Sequence, residues 1–203
     1  CSAGAPFTQL TALRETPPIH KVLKAYLGRG YPYQKLDLMA VPNFQAGAME
    51  NPGLVTFREP LLLVDEDKVT PGRLRSIRSI IAHELAHMWF GNSLTPAWWD
   101  DLWLNEAFAT WMADHVLETL MDTEASRASV ARSKQRVMRL DAKKNVRAIR
   151  QKIETEGDIE NAFDGITYRK GASILWMLEH WLGPELFQRA IQTYVSTHEH
   201  QVV

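Results

Sequence analysis

Cysteine occurs once in the 203 residues, at Cys1, so no disulfide can close within the chain and a disulfide-built scaffold is excluded. Long apolar runs are also missing. No stretch approaches the roughly 20 residues that span a bilayer, and no signal-peptide pattern is present. Nor is there an excess of one charge: 23 basic and 24 acidic side chains leave a net charge of -1, so the balance points to neither nucleic acid nor a membrane surface. Cys1 reads as the point where an excerpt of a longer chain starts, rather than as a lipidated terminus. The compartment stays open, with a soluble, cytoplasmic chain favoured.

What is present suits a folded core. With 45% hydrophobic and 23% charged residues, the chain can form one large domain or two small ones. Residues 1–18 look turn-rich and end in Thr16-Pro17-Pro18, after which a helix is expected over Ile19–Leu27, stopped by Gly28 and Gly30. Leu36–Val41, Leu54–Phe57 and Leu61–Val64 read as strands. Between them lies Gln45-Ala46-Gly47-Ala48-Met49-Glu50-Asn51, slender enough to lie against an extended ligand and offer it backbone hydrogen bonds. Glu50 reads equally well as a turn carboxylate until its surroundings are known.

The strongest local signal is His83-Glu84-Leu85-Ala86-His87, within a helix and following turn over Ser76–Ser93. Residues four apart share a helix face, so the two imidazoles can grip one Zn²⁺ with Glu84 beside them as a base. Ile77, Ile81, Leu85 and Met88 form an apolar stripe on the other side. A third protein ligand is required, with a fourth position left for water if the metal is catalytic. A second helix over Leu102–Leu120 offers Glu106, nineteen positions after His87, on a face of small residues (Ala109, Thr110, Ala113) that permits close approach. Asp100 or Asp101 is a candidate N-cap. Asp101 and Asn105 could orient a ligand imidazole, or act only as capping or surface groups. Leu104, Phe108 and Trp111 are expected to pack away from the metal, with His115 structural or exposed.

From Arg127 to Lys152 there are ten Lys or Arg and one acid, Asp141, without interleaved aromatics; this run reads as a solvated helical face or a contact to a missing domain. A further helix from about Gly165 to Leu182 has Tyr168 in its first turn, either a core tyrosine or a phenol facing a cleft. Its two apolar sides are Ala172, Leu175 and Leu182, and Ile174, Met177, Leu178 and Trp181. Phe187, Ala190, Ile191, Tyr194 and Val195 mark a last amphipathic helix.

Together these residues resemble the catalytic domain of the zinc aminopeptidases that include aminopeptidase N, a gluzincin family with a thermolysin-like fold. The resemblance rests on Gly47-Ala48-Met49-Glu50-Asn51, on His83-Glu84-Leu85-Ala86-His87 with Glu106, on Trp98-Trp99 with Asp101-Leu102-Trp103-Leu104-Asn105, and on Tyr168-Arg169-Lys170-Gly171-Ala172. Asp100 stands where relatives usually have Asn, and Ala107 where they usually have Gly. The resemblance implies an α+β fold, a small mixed sheet followed by a mainly helical part. One catalytic domain over 1–203 would divide into a β-rich section with the substrate-aligning segment, 1–73, and a helical section with the zinc site, 74–203. It further implies a single Zn²⁺ on His83, His87 and Glu106, Glu84 as base, and Tyr168 as donor to an oxyanion. Glu50 would hold the substrate's free α-ammonium, with Gln45, Gly47, Ala48 and Met49 aligning its backbone. The implied partners are peptides with a free N-terminus and flanking N- and C-terminal domains, with no nucleic acid. Alternatives are a catalytically silent scaffold or binding module, and a bifunctional epoxide hydrolase-like relative, which typically has glycine at the position of Ala48.

Overall fold

The computed structural model describes residues 7–121 and 124–203; Cys1 lies outside them. Strand β1 (Phe7–Thr8) leads into helix α1 (Leu10–Leu27). This helix starts well before Ile19 and runs through Pro17 and Pro18. Interior prolines cost a helix about 3 kcal/mol each, which is why the pair reads as a terminator. Burial outweighs that cost here: Ala12, Ile19, Leu23 and Leu27 are wholly enclosed, and one such aliphatic chain contributes about 1.5–3 kcal/mol. The expected stop is observed, with Gly28 in the left-handed region (φ 66°) and its N–H donating to the Lys24 carbonyl.

Strands β2 (Asp37–Val41), β3 (Ala48–Met49) and β4 (Leu54–Arg58) form a sheet in the order β2-β4-β3, with β2 parallel and β3 antiparallel to β4. β3 is therefore an edge strand. The strand expected over Leu61–Val64 is instead a single helical turn, α2 (Glu59–Leu62), followed by β5 (Val64–Asp65), which pairs with β1. Pro60 in the first turn of α2 explains the difference: its φ suits a helix start and its missing N–H is not needed there.

Helix α3 (Pro71–Ala86) begins with Thr70 capping the Arg73 N–H, and the position between residues 73 and 74 falls inside it. It ends at Ala86, and wide turns continue the chain: Asn92 N–H donates to His87 O, Ser93 to Met88 O and Leu94 to Trp89 O. Ile77, Ile81, Leu85 and Met88 are fully buried, as the stripe predicts. After β6 (Leu94–Thr95), helix α4 (Leu102–Leu120) packs against α3, α1 and the later helices. Trp111 is buried at its centre, in edge contact with Tyr26, Trp176 and Phe187. His115 is half-buried against Tyr26. Phe108, with Leu104, is half-buried, and Phe108 stacks on Phe90.

The first half of the basic run, Arg127 to Arg139, belongs to helix α5 (Glu124–Asp141), which is solvated on one side and buries Val130 and Val137 on the other. Helix α6 (Glu156–Ala162) opens with a reciprocal cap between Thr155 and Asp158. A π-helical turn (Ile166–Lys170) then feeds α7 (Gly171–Leu182), followed by α8 (Pro184–His198) and β7 (Gln201–Val202), which pairs with β6. On α7, Ala172, Leu175 and Trp176 are buried and Ile174 and Leu178 half-buried, whereas Met177, Trp181 and Leu182 are 61%, 80% and 40% exposed, so each expected side is covered only in part among the described residues. On α8, Phe187, Ile191 and Val195 are buried and Ala190 is exposed. The arrangement is α+β, a small mixed sheet followed by a mainly helical part. Among the described residues no helix is long and apolar enough to cross a membrane.

Candidate active site

A cleft of about 890 Å³ runs between the edge of the sheet and helices α3 and α4, with Tyr168 and Phe163 on its far wall. At its centre α3 and α4 bring three ligand atoms to one point. His83 Nε2 and His87 Nε2 are 3.1 Å apart, and Glu106 Oε2 lies 3.2 Å from the first and 3.4 Å from the second. Ligands about 2.05 Å from a tetrahedral zinc are separated by about 3.3 Å. The triangle therefore has the size of one face of such a site.

The donor chemistry fits as well. His87 Nδ1 faces the Phe90 carbonyl at 3.0 Å and Asn105 Oδ1 at 2.7 Å, so this nitrogen carries the proton and the Nε2 lone pair is aimed at the triangle. That also disposes of a second possible group, Glu50, Glu84 and His87, insofar as it uses Nδ1, which lies 3.9 Å from Glu50 Oε1. Burial opposes a charge on His87, but Glu106, Glu50 and Glu84 outweigh it and push its pKa up to about 10. Burial raises the Glu106 carboxyl, and the His87 charge and the hydrogen bonds from both imidazoles more than reverse this, holding it well below its usual range. His83 is pushed down by burial. The cluster thus draws in positive charge, and a divalent ion supplies more of it than one proton on His87.

Gly91 and Asn105 make the orientation of His87 possible. A Cβ on Gly91 (φ 113°) would lie 2.1 Å from Asn105 Oδ1, so only glycine allows Asn105 to reach the imidazole. We expect Asn105→Ala to weaken metal affinity about 10- to 100-fold, measured by competition with a chromophoric chelator. Unchanged affinity would mean that the Phe90 carbonyl alone orients the ring.

Glu84 is buried beside the triangle, its carboxyl pushed up to about 8 by burial and by Glu50 and Glu106 against the opposing His87 charge. Tyr168 lies in the π-helical turn, its ring 5.9 Å from that of His83. Burial, followed by the nearby carboxylates, pushes its phenol up, so it keeps a proton to donate. Gly171 permits this approach, because a Cβ there would be 2.5 Å from Ala107 Cβ on α4.

Glu50 follows β3 with its carbonyl held by Asn92 Nδ2 at 2.7 Å, and it shares the cleft with Ala46, Gly47, Ala48 and Met49. β3 uses one edge to pair with β4, matching Ala48 with Phe57 and Met49 with Thr56. Gln45 does not line the cleft; it is exposed, and its carbonyl is taken by Arg58 Nη2. Asp101 does not orient an imidazole either, because Arg150 takes its carboxylate at 2.8 and 3.1 Å. Nor do Asp100 and Asp101 cap α4 with their side chains: Asp100 accepts the Ile153 N–H at 2.8 Å.

Three supporting residues carried no local signal. Arg58 Nε donates to the carbonyls of Phe44 and Ala46, fixing the approach to β3. Asn92 holds Glu50. Arg147, from the basic run, binds Asp164 and Thr167 Oγ1 at 2.6 Å each, while Asp164 also accepts the N–H groups of Ile166 and Thr167. These bonds shape the turn that presents Tyr168.

Residues 11–203 match the family described as Peptidase family M1 domain. Aminopeptidase M1 of Arabidopsis thaliana is 40% identical over 198 residues, covering 98% of this chain and 22% of the relative. Aminopeptidase 2 of Candida albicans is 41% identical over 180 residues, 88% of this chain and 20% of the relative. Glutamyl aminopeptidase of Bos taurus is 40% identical over 185 residues, 91% and 19% respectively. The chain spans about a fifth of the length of these curated relatives. A match over nearly all of its residues, with the helices and turn that carry the cleft inside it, shows that the chain belongs to the peptidase family M1 domain family.

Proposed function

We propose that this domain is the catalytic part of a zinc aminopeptidase that removes the N-terminal residue of peptides. The observation that carries the reading is the placement of the Glu50 carboxylate in one cleft with the His83, His87 and Glu106 triangle. His83, His87 and Glu106 would hold the ion. Zn²⁺, when bound, supplies Lewis-acid chemistry, polarising a carbonyl and acidifying a water.

The chain's own groups do the rest. Glu84 takes the proton of the attacking water and passes it to the leaving amine nitrogen. Beside a bound cation Glu84 would lose its raised pKa and start as the carboxylate. Tyr168 donates its phenolic proton in a hydrogen bond to the carbonyl oxygen as negative charge develops there. Edge strand β3 lies along the substrate backbone, and Glu50 binds the free α-ammonium. A metal centre with a base cleaves peptide bonds generally; a carboxylate close beside it selects chains that begin there. Flanking domains, by analogy with the longer relatives, would close the cleft.

A Glu50→Gln enzyme tests the reading. A charged hydrogen bond is worth about 1.5–3 kcal/mol, so KM for substrates with a free amine should rise about 10- to 100-fold with metal content unchanged. Equal loss on free and N-acetylated substrates would remove Glu50 from amine recognition.

A further inference from the structure

The charges lining the cleft are sorted along its length. Its carboxylates, Glu50, Glu84 and Glu106, gather at the metal triangle, whereas Arg73, Arg75 and Arg169 also line it. Arg75 lies eight residues before His83 on α3, and Asp114 eight residues after Glu106 on α4. At 1.5 Å per residue both are about 12 Å from the triangle along their helices. Arg169 Nη1 lies 3.3 Å from Asp114 Oδ2, and the charges of both Arg169 and Arg75 act on that carboxyl. Arg75 and Arg169 therefore belong to the same end. One carboxyl faces two guanidinium groups there, so Asp114 offsets only part of this positive charge.

Among the described residues the Arg75 side chain makes no hydrogen bond or ion pair, and its Nε is enclosed without a partner. A half-buried guanidinium with an unmet donor on the wall of a cleft is a site for an anion. Glu50 lies at the opposite side of the triangle, tied to Asn92 beyond the C-terminal end of α3. A peptide whose amine sits at Glu50 and whose first bond lies over the triangle must send its remaining chain toward Arg75.

We infer that this arginine-lined end selects peptides carrying a carboxylate on the second or third residue beyond the scissile bond. This rests on the aminopeptidase reading, which fixes the direction of the bound chain. An extended peptide advances about 3.3 Å per residue, so about 12 Å corresponds to three to four residues. The reach of an arginine side chain brings the partner back by about one residue. The carboxylate can be an Asp or Glu side chain or the C-terminus of a short peptide.

The test uses zinc-loaded protein and peptides with free N-termini. Ala-Ala-Asp-Asp-amide, with a carboxylate on both the second and the third residue beyond the scissile bond, is compared with its Asn-Asn counterpart, and Ala-Ala-Ala as free acid with its amide. The carboxylate member should have about tenfold higher kcat/KM in at least one pair at low salt, and the ratio should shrink as salt screens the charge. Arg75→Gln should bring that ratio to about two or less. A response to the Asp pair alone assigns internal acidic residues, and a response to the free-acid pair alone assigns short peptide C-termini. Ratios near one in both pairs, with the peptides cleaved, overturn the inference and leave the aminopeptidase reading standing. Should none be cleaved, equilibrium binding of the same pairs to the Glu84→Ala protein still decides it. Tighter binding of the carboxylate member, lost on Arg75→Gln, supports it, and equal binding overturns it.

Discussion

Glu84→Ala should lower kcat by about 10³-fold, or about 4 kcal/mol of transition-state stabilisation, while leaving bound metal unchanged. The separation follows from geometry. Glu84 is adjacent in sequence to His83, yet His83, His87 and Glu106 can hold an ion without it. Its carboxyl is buried with its pKa pushed up to about 8, so the folded metal-free chain gains nothing from keeping it charged at neutral pH. The metal-free Glu84→Ala and Glu84→Gln proteins should therefore unfold at the same temperature as the metal-free parent, or higher, as is common where a buried ionisable active-site group is removed. Metal analysis, melting temperature and turnover on one preparation check this. Turnover within tenfold of the parent would remove Glu84 from the role of base.

Glu106→Ala acts on the other half of the site. A structural zinc contributes about 10–16 kcal/mol over four ligands, so losing one protein ligand should weaken affinity about 10²- to 10³-fold. Turnover should fall in proportion to metal occupancy and recover partly in excess zinc, which the Glu84 variants cannot do. The same substitution changes the acid response of the metal-free protein. The Glu106 carboxyl is held well below its ordinary value of 4.5. Its contribution to stability is therefore present above about pH 4.5 and is lost as the pH falls toward its lower folded value. The Glu106→Ala protein lacks that part of the acid dependence, which melting curves between pH 3 and 7 would reveal. Equal metal affinity in parent and variant would contradict the ligand assignment.

Local periodicity made much of this legible. The four-residue spacing of His83 and His87, the buried stripe of Ile77, Ile81, Leu85 and Met88, and the full extent of Leu102–Leu120 follow from the helical repeat alone. The position of Glu106 follows from its small-residue face. Tertiary forces overrode local rules at Pro17 and Pro18, where buried Ile19 and Leu23 sustain the helix. Pro60 deceived in the opposite sense, since a residue that breaks strands also starts helices well. The supports of the site were not legible. Arg58, Asn92 and Arg147 act on backbone carbonyls or carboxylates far away in sequence, and no periodicity marks such a partner. Asp101 offered plausible chemistry at a plausible position, but Arg150, 49 positions away, takes it. Exposed Met177 and Trp181 complete the apolar pattern of α7 without a covering element among the described residues.

The most direct test of the central claim pairs zinc stoichiometry with turnover of aminoacyl chromogenic substrates, each prepared with a free and an acetylated N-terminus. One zinc per chain and cleavage confined to the free amines is the predicted result. Equal cleavage of the acetylated substrates would contradict it and make the site that of an endopeptidase.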